Sequence, residues 1–547
     1  MTLDTLSPEE KTELDMLENR LQQRARLTRY VAAAILVLAL GIGGWLASGI
    51  SSYAPPEAAP LEKLLTEEFA ELQLAWFDTI SSASRVNAGM AAEKQGLFND
   101  KADKFIARVD EVEPRLKESF SLLTETMSKQ NQMTLLAEES PSDAIRSPVA
   151  AVNQVLAELE PRFYLEVDNF EGLLDNQYLM GTMLLVYEVL GTLSFAGGEG
   201  EEGKAELLVV RRRDSLPAQG AAHGYARRDD TSVAFVLQDT ATQFAADYIF
   251  PSFGRPDAAF ELRFEKGVPD HLKGSFKVLV ELVHLELKNL SGLDDETIKT
   301  VAGNVARRAR IFRRAEEAAA KHGVDLKLPD GLVWPRSFAS QVLLENTELN
   351  KRGEELLLDA DKDSLIRVSH ALDNPEATAA LAAIAQGITR SVGFHEARHV
   401  LDIRGEVEAG SCLQERVQIT DDDPDFLRSV ELEARARLTQ FIEAPETVRL
   451  SLLSTVSHLY SRSGTANFYA ARTILHPLAF ADDETNIPRG WDYLNELTLR
   501  LGAASPETIA TSAKAFYEEC FGPYVPLHLT TEERLVQESA GCSAVGF

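Results

Sequence analysis

The stretch "GFHEARHVLD" (393–402) sets two histidines four positions apart, His395 and His399, with Glu396 directly after the first. On a helix, residues at i and i+4 share one face, and two imidazoles so placed can ligate one Zn²⁺ at ~2.0–2.1 Å. Spacings of i+2 or i+5 cannot do this without breaking the helix. Glu396 projects to the flank of the pair, where a carboxylate reaches the zinc-bound water rather than the metal and takes its proton as general base. Zinc brings the pKa of that water toward neutrality, so the pattern is that of a hydrolytic centre attacking a polarised carbonyl. The competing reading of the same residues is a pair of core histidines hydrogen-bonded to carboxylates.

The helix that must position them starts at "DNPEAT", with Asn374 as N-cap and Pro375 in the first helical position, and runs to Gly405. Ala377, Ile384, Ile388 and Val392 mark its buried stripe. At 100° per residue, positions 395, 399 and 402 fall within about 60° of one another, so both histidines point toward the interior. Asp402 has two readings: an acceptor that orients a zinc-bound imidazole, or a helix-end charge partnered by Arg398 or Arg404.

These residues resemble the HExxH signature of the zincin metallopeptidases, matched by His395, Glu396 and His399. The resemblance is local to this helix. Val392, Ala397, Val400 and Leu401 comply with the stricter form of that signature, and Arg398, charged where it asks for an uncharged residue, departs from it. The metzincin branch would need Gly at 402 and His or Asp at 405, where this chain has Asp402 and Gly405. The gluzincin branch implies a third ligand, a glutamate on a later helix, and "DPDFLRSVELEARARLTQF" (423–441) offers Glu431 and Glu433. These differ by about 200° in helix phase, so only one can face the metal. Glu431 lies beside the apolar stripe of Phe426, Leu427, Val430, Ala434, Leu438 and Phe441 and is the expected ligand. His458, Tyr460, Tyr469 and His476 are candidates for stabilising an oxyanion, with none assigned.

The wider chain sets the context. From Tyr30 to Ile50 it runs without a charge for about the length that crosses a ~30 Å hydrocarbon core, and Arg20, Arg24, Arg26 and Arg29 crowd the preceding flank. The expectation is a cytoplasmic tail (1–29), a single transmembrane anchor (30–50) and a proline-rich tether (51–60), with the bulk periplasmic or extracellular. A helical stalk or bundle is expected over 61–196, a mixed α/β region over 197–345, and a helical zinc-binding catalytic region over 346–547. The fold class is therefore mostly α with a small β-sheet (α+β), a single N-terminal transmembrane helix, a helical stalk and a zincin-like C-terminal catalytic region.

Among 547 residues, 55 Lys and Arg against 85 Asp and Glu give a net charge of −30, which repels a phosphate backbone and argues against nucleic acid as a partner. The acidic run 421–425 suits a helix start better than a calcium loop. Three cysteines exclude a thiolate cluster; Cys520 and Cys542 either pair in an oxidising compartment or are plain thiols, and pairing would leave Cys412 single. The leading expectation is a membrane-anchored, zinc-dependent metallopeptidase of protein or peptide substrates outside the cytoplasmic membrane. The alternative is a non-catalytic envelope scaffold or binding protein with a structural or decayed HExxH helix.

Overall fold

A computed structural model of the chain describes residues 60–83, 88–133, 141–174, 177–198, 203–213, 224–226, 234–238, 240–241, 273–294, 296–297, 300, 375–407, 410, 412, 424–461, 465–480 and 490–534. The chain divides into two compact units, residues 1–189 with 211–220, and residues 190–210 with 221–547.

The first unit holds α1 (Phe69–Ala83), α2 (Ala88–Val112), α3 (Lys117–Met133) and α4 (Pro141–Leu156), then β1 (Phe163–Leu174) and the greater part of β2 (Gln177–Ala196). Phe69, Phe105 and Phe120, one from each of the first three helices, meet with ring centroids 5.1–5.5 Å apart at the centre of its core. The strands pair antiparallel from Phe163↔Glu188 to Leu174↔Gln177. Two side-chain amides fasten helices to them. Gln73 donates to the Leu184 carbonyl at 2.8 Å and accepts from its N–H at 2.9 Å, and Asn153 does the same for Leu165 at 2.8 and 2.7 Å. Each amide thereby satisfies both backbone groups of one strand residue.

In the second unit the strand order is β6-β2-β3-β5-β4, with β3 (Lys204–Arg212), β4 (Gly224–Ala226), β5 (Ala234–Leu237) and, from the C-terminal end, β6 (His528–Arg534). The β3–β5 pair is parallel; β4–β5 and β2–β6 are antiparallel. The helices are α5 (Lys273–Ser291), α6 (Pro375–Arg404), α7 (Pro424–Glu443), α8 (Val448–Ser461), α9 (Ala466–Phe480), α10 (Trp491–Ala503) and α11 (Pro506–Phe521). Helix α6 lies in the middle of this arrangement. Its Phe394 packs edge-on against Phe195 of β2 at 5.0 Å, and Gly393 permits the approach, since a Cβ there would sit 2.9 Å from the Phe195 ring. On its other side Ser391 meets Gln440 of α7 (2.9 Å) and Ser451 of α8 (3.3 Å).

Two expectations are corrected. Among the described residues the fold is mostly helical with a small mixed sheet and no helix is long and apolar enough to cross a membrane, so the expected transmembrane helix is not seen there. Residues 1–59, which include the apolar run 30–50, lie outside the described residues. The helical reading of 61–196 extends only to Leu156, because 163–174 and 177–196 are strands. Every residue from Met183 to Tyr187 is apolar and buried, so this part of β2 shows no alternation, and an unbroken apolar run does not distinguish a period of two from one of 3.6. The strands expected in "KAELLVVRRRD" and "SVAFVL" are present as β3 and β5.

Candidate metal centre

Helix α6 brings His395 and His399 together as their spacing requires, with Nε2 atoms 3.1 Å apart and rings nearly perpendicular. The third group is Glu433 of α7: its Oε2 lies 3.7 Å from His395 Nε2 and its Oε1 3.6 Å from His399 Nε2. Four-coordinate zinc with bonds of ~2.0–2.1 Å separates its donor atoms by about 3.3 Å. Two imidazole nitrogens and one carboxylate, all with donor atoms within 4.8 Å of one another, therefore fit that ion in number, chemistry and spacing. Burial first, and then the neighbouring His399, hold the pKa of His395 well below the usual histidine range, which keeps its imidazole neutral and its lone pair available.

Glu396 is 4% exposed, and its Oε2 has no hydrogen-bond partner among the described residues. Burial, with the negative charge of Glu433 next in size, pushes its pKa well above the carboxylate range, while Arg437 pulls the other way. A carboxylate with raised proton affinity and a spare oxygen beside a metal-ligand cluster has the properties of a proton acceptor.

Glu431, the expected third ligand, is turned elsewhere. Its Oε2 accepts from the Gly410 N–H at 2.5 Å, and its Oε1 receives two bonds from the Arg435 guanidinium, at 2.9 and 2.7 Å. The apolar stripe used to choose it does not face α6. Val430, Ala434, Leu438 and Phe441 belong to a core shared with α8, α9, α10 and α11. The side of α7 toward α6 is the polar one, where Gln440 reaches Ser391 and Thr439 accepts from Arg398. Glu433 and Gln440, seven positions apart, share that side. No local signal separates the two glutamates: in "ELEARAR" each is followed three residues later by alanine and four later by arginine.

Arg398, the departure from the stricter motif, is buried and well partnered. It donates to Thr439 Oγ1 (3.1 Å) and the Val525 carbonyl (2.7 Å), lies over the rings of Tyr517 and Tyr524, and has Asp402 Oδ1 at 3.8 Å. Of the two readings of Asp402, the structure therefore supports the ion partner. Burial raises the pKa of Asp402 to about 6, against the pull of Arg398 and Arg435.

The cysteine pairing is also corrected. Cys412 is bonded to Cys520 at a Cα separation of 5.4 Å, and Cys542 lies outside the described residues. Sequence spacing says nothing of which cysteines meet in space. Here the bond joins the α6–α7 connection to the last turn of α11, two residues from the Gly410 N–H that Glu431 holds.

A second polar group was not legible as part of the site. Arg437 of α7 donates from Nη2 to Asn467 Oδ1 of α9 (2.7 Å) and to His458 Nε2 of α8 (3.1 Å), and from Nη1 to Thr455 Oγ1 (3.4 Å). Its charge acts on Glu433, Glu396 and His395. Burial and Arg437 lower His458 to about 4. Of the other oxyanion candidates, His476 bonds Tyr493 OH at 3.0 Å, Tyr469 packs against Phe426 and Phe468, and the Tyr460 side chain lies outside the described residues.

No family model, no curated protein and no solved structure matches this chain.

Proposed function

We propose that this chain is a zinc-dependent metallopeptidase of gluzincin-like type, with His395, His399 and Glu433 holding the ion and Glu396 moving the proton. The observation that carries the reading is the convergence of a glutamate from a second helix on the two histidine nitrogens at 3.6–3.7 Å, with Glu396 next to His395 in the chain and its buried Oε2 without a hydrogen-bond partner among the described residues. Zinc, when bound, supplies a Lewis acid that polarises the scissile carbonyl and acidifies water. Glu396, set at the flank of the ligands, accepts a proton from the attacking water and delivers it to the leaving amine. The raised proton affinity that burial gives it suits both halves of that task.

The Cys412–Cys520 bond supports action in an oxidising compartment, periplasmic or extracellular, since such bonds do not persist in a reducing cytosol. The test is metal content together with turnover. Protein purified without chelator should carry close to one zinc per chain, lose it to a chelator with a fall in Tm, and cleave members of a quenched-fluorescence peptide library in the zinc-loaded form only. A chain that neither retains zinc nor gains stability from added zinc would remove the basis for the proposal and leave the scaffold alternative.

A further inference from the structure

Among the described residues, Arg437 is a cation without an anionic partner at bonding distance. Its three hydrogen-bond partners, Thr455, His458 and Asn467, are all neutral, and it makes no ion pair among the described residues. A guanidinium has no acceptor atom, so His458 Nε2 must accept from it, which fixes the His458 proton on Nδ1. Asn467 spends its carbonyl oxygen on the same guanidinium, which leaves its amide nitrogen as a further donor. Nε of Arg437 has no hydrogen-bond partner among the described residues. Neutral acceptors from α8 and α9 thus surround one positive charge on α7, with the Asn467 amide nitrogen left as a donor beside it. A half-buried cation of this kind is costly unless an anion completes it.

The charge of the centre points the same way. The formal charges of one zinc ion, Glu433 and Glu396 cancel, so Arg437 leaves one positive charge over when the metal is bound. That excess lies within the electrostatic reach of the base and of the ligand glutamate, in a chain whose overall charge is −30. A planar guanidinium with an adjacent amide donor matches a carboxylate in geometry and in sign.

We propose that Arg437 and Asn467 form an anion subsite of this centre, and that its substrates are peptides that present a free carboxylate next to the bond cleaved. This rests on the reading of the centre as a zinc peptidase. Substrate specificity then comes from α7 and α9, and a peptide amidated at that position loses its main polar anchor.

The experiment is calorimetric titration of the zinc-loaded protein with N-acetyl-phenylalanine and with its amide, for the wild type and for Arg437→Gln, Arg437→Lys and Asn467→Asp, each checked for bound zinc and helix content. The wild type should bind the acid at least tenfold more tightly than the amide. Arg437→Gln should abolish that difference by weakening the acid alone, and Arg437→Lys should retain part of it. Asn467→Asp, which places a carboxylate on the guanidinium, should weaken the acid in the same way and carries the test if Arg437→Gln does not fold. Equal binding of acid and amide by the wild type overturns the subsite. So does an acid preference that survives Arg437→Gln, because the carboxylate then sits on the metal. Absence of zinc from the wild type overturns the peptidase reading and this proposal with it, whereas zinc and hydrolysis without acid preference overturn the subsite alone.

Discussion

Glu431 and Glu433 stand two positions apart on α7 and serve opposite ends of one construction: Glu433 lies 3.6–3.7 Å from the nitrogens of His395 and His399, while Glu431 holds the Gly410 N–H at 2.5 Å. One carboxylate closes the donor set, and the other pins the connection between the two helices that carry it. Paired substitutions separate the roles. Glu433→Gln should lose zinc affinity by tenfold or more. Glu431→Gln should keep most of the zinc and lower Tm, since it strips a buried charge from Arg435 and from the Gly410 amide. Zinc titration and thermal melts of the two variants check this, and the reverse pattern would assign the ligand to Glu431.

Glu396→Gln preserves side-chain shape while removing the proposed base. Bound zinc should be unchanged and hydrolysis should fall by at least ~10²-fold. Turnover equal to that of the wild type in a zinc-loaded Glu396→Gln protein would take Glu396 out of the chemistry.

A non-reducing peptide map should show Cys412 linked to Cys520. The bond spans 108 residues, so replacing both cysteines by alanine should cost ~2–4 kcal/mol in denaturant unfolding. Because the same connection is held by Glu431, zinc affinity should fall as well, without loss of a ligand. A peptide joining Cys520 to Cys542 would contradict the observed pairing.

Glu286 of α5 accepts from the N–H groups of Arg449 (3.1 Å) and Leu450 (3.0 Å) at the start of α8. Burial raises its pKa to about 7, with those two bonds pulling down. The folded chain therefore binds this proton more tightly than the unfolded chain. The stability this contributes is complete below the unfolded carboxylate pKa of ~4.3 and is lost as pH rises through about 7, amounting to at most about 4 kcal/mol. Urea unfolding between pH 5 and pH 8 should show a steeper decline for the wild type than for Glu286→Gln. Parallel profiles would mean that Glu286 does not titrate in this window.

The amino-acid sequence by itself determined the histidine pair and the glutamate on its flank, because i, i+4 spacing on one helix fixes relative direction whatever surrounds the helix. It also placed the second helix, from Pro424, and strands β3 and β5. What it could not determine was how α7 is turned. An apolar stripe shows which side of a helix is buried, and α7 is buried on several sides, so its stripe marked the core with α8 to α11 and not the face toward α6. With identical local surroundings for both glutamates in "ELEARAR", only the packing of α7 against α6 selected Glu433. The partners of Arg437 and Cys412 were hidden for the same reason: Asn467 is 30 positions away and Cys520 is 108, distances that a local period cannot bridge and that only the assembled helices bring to contact.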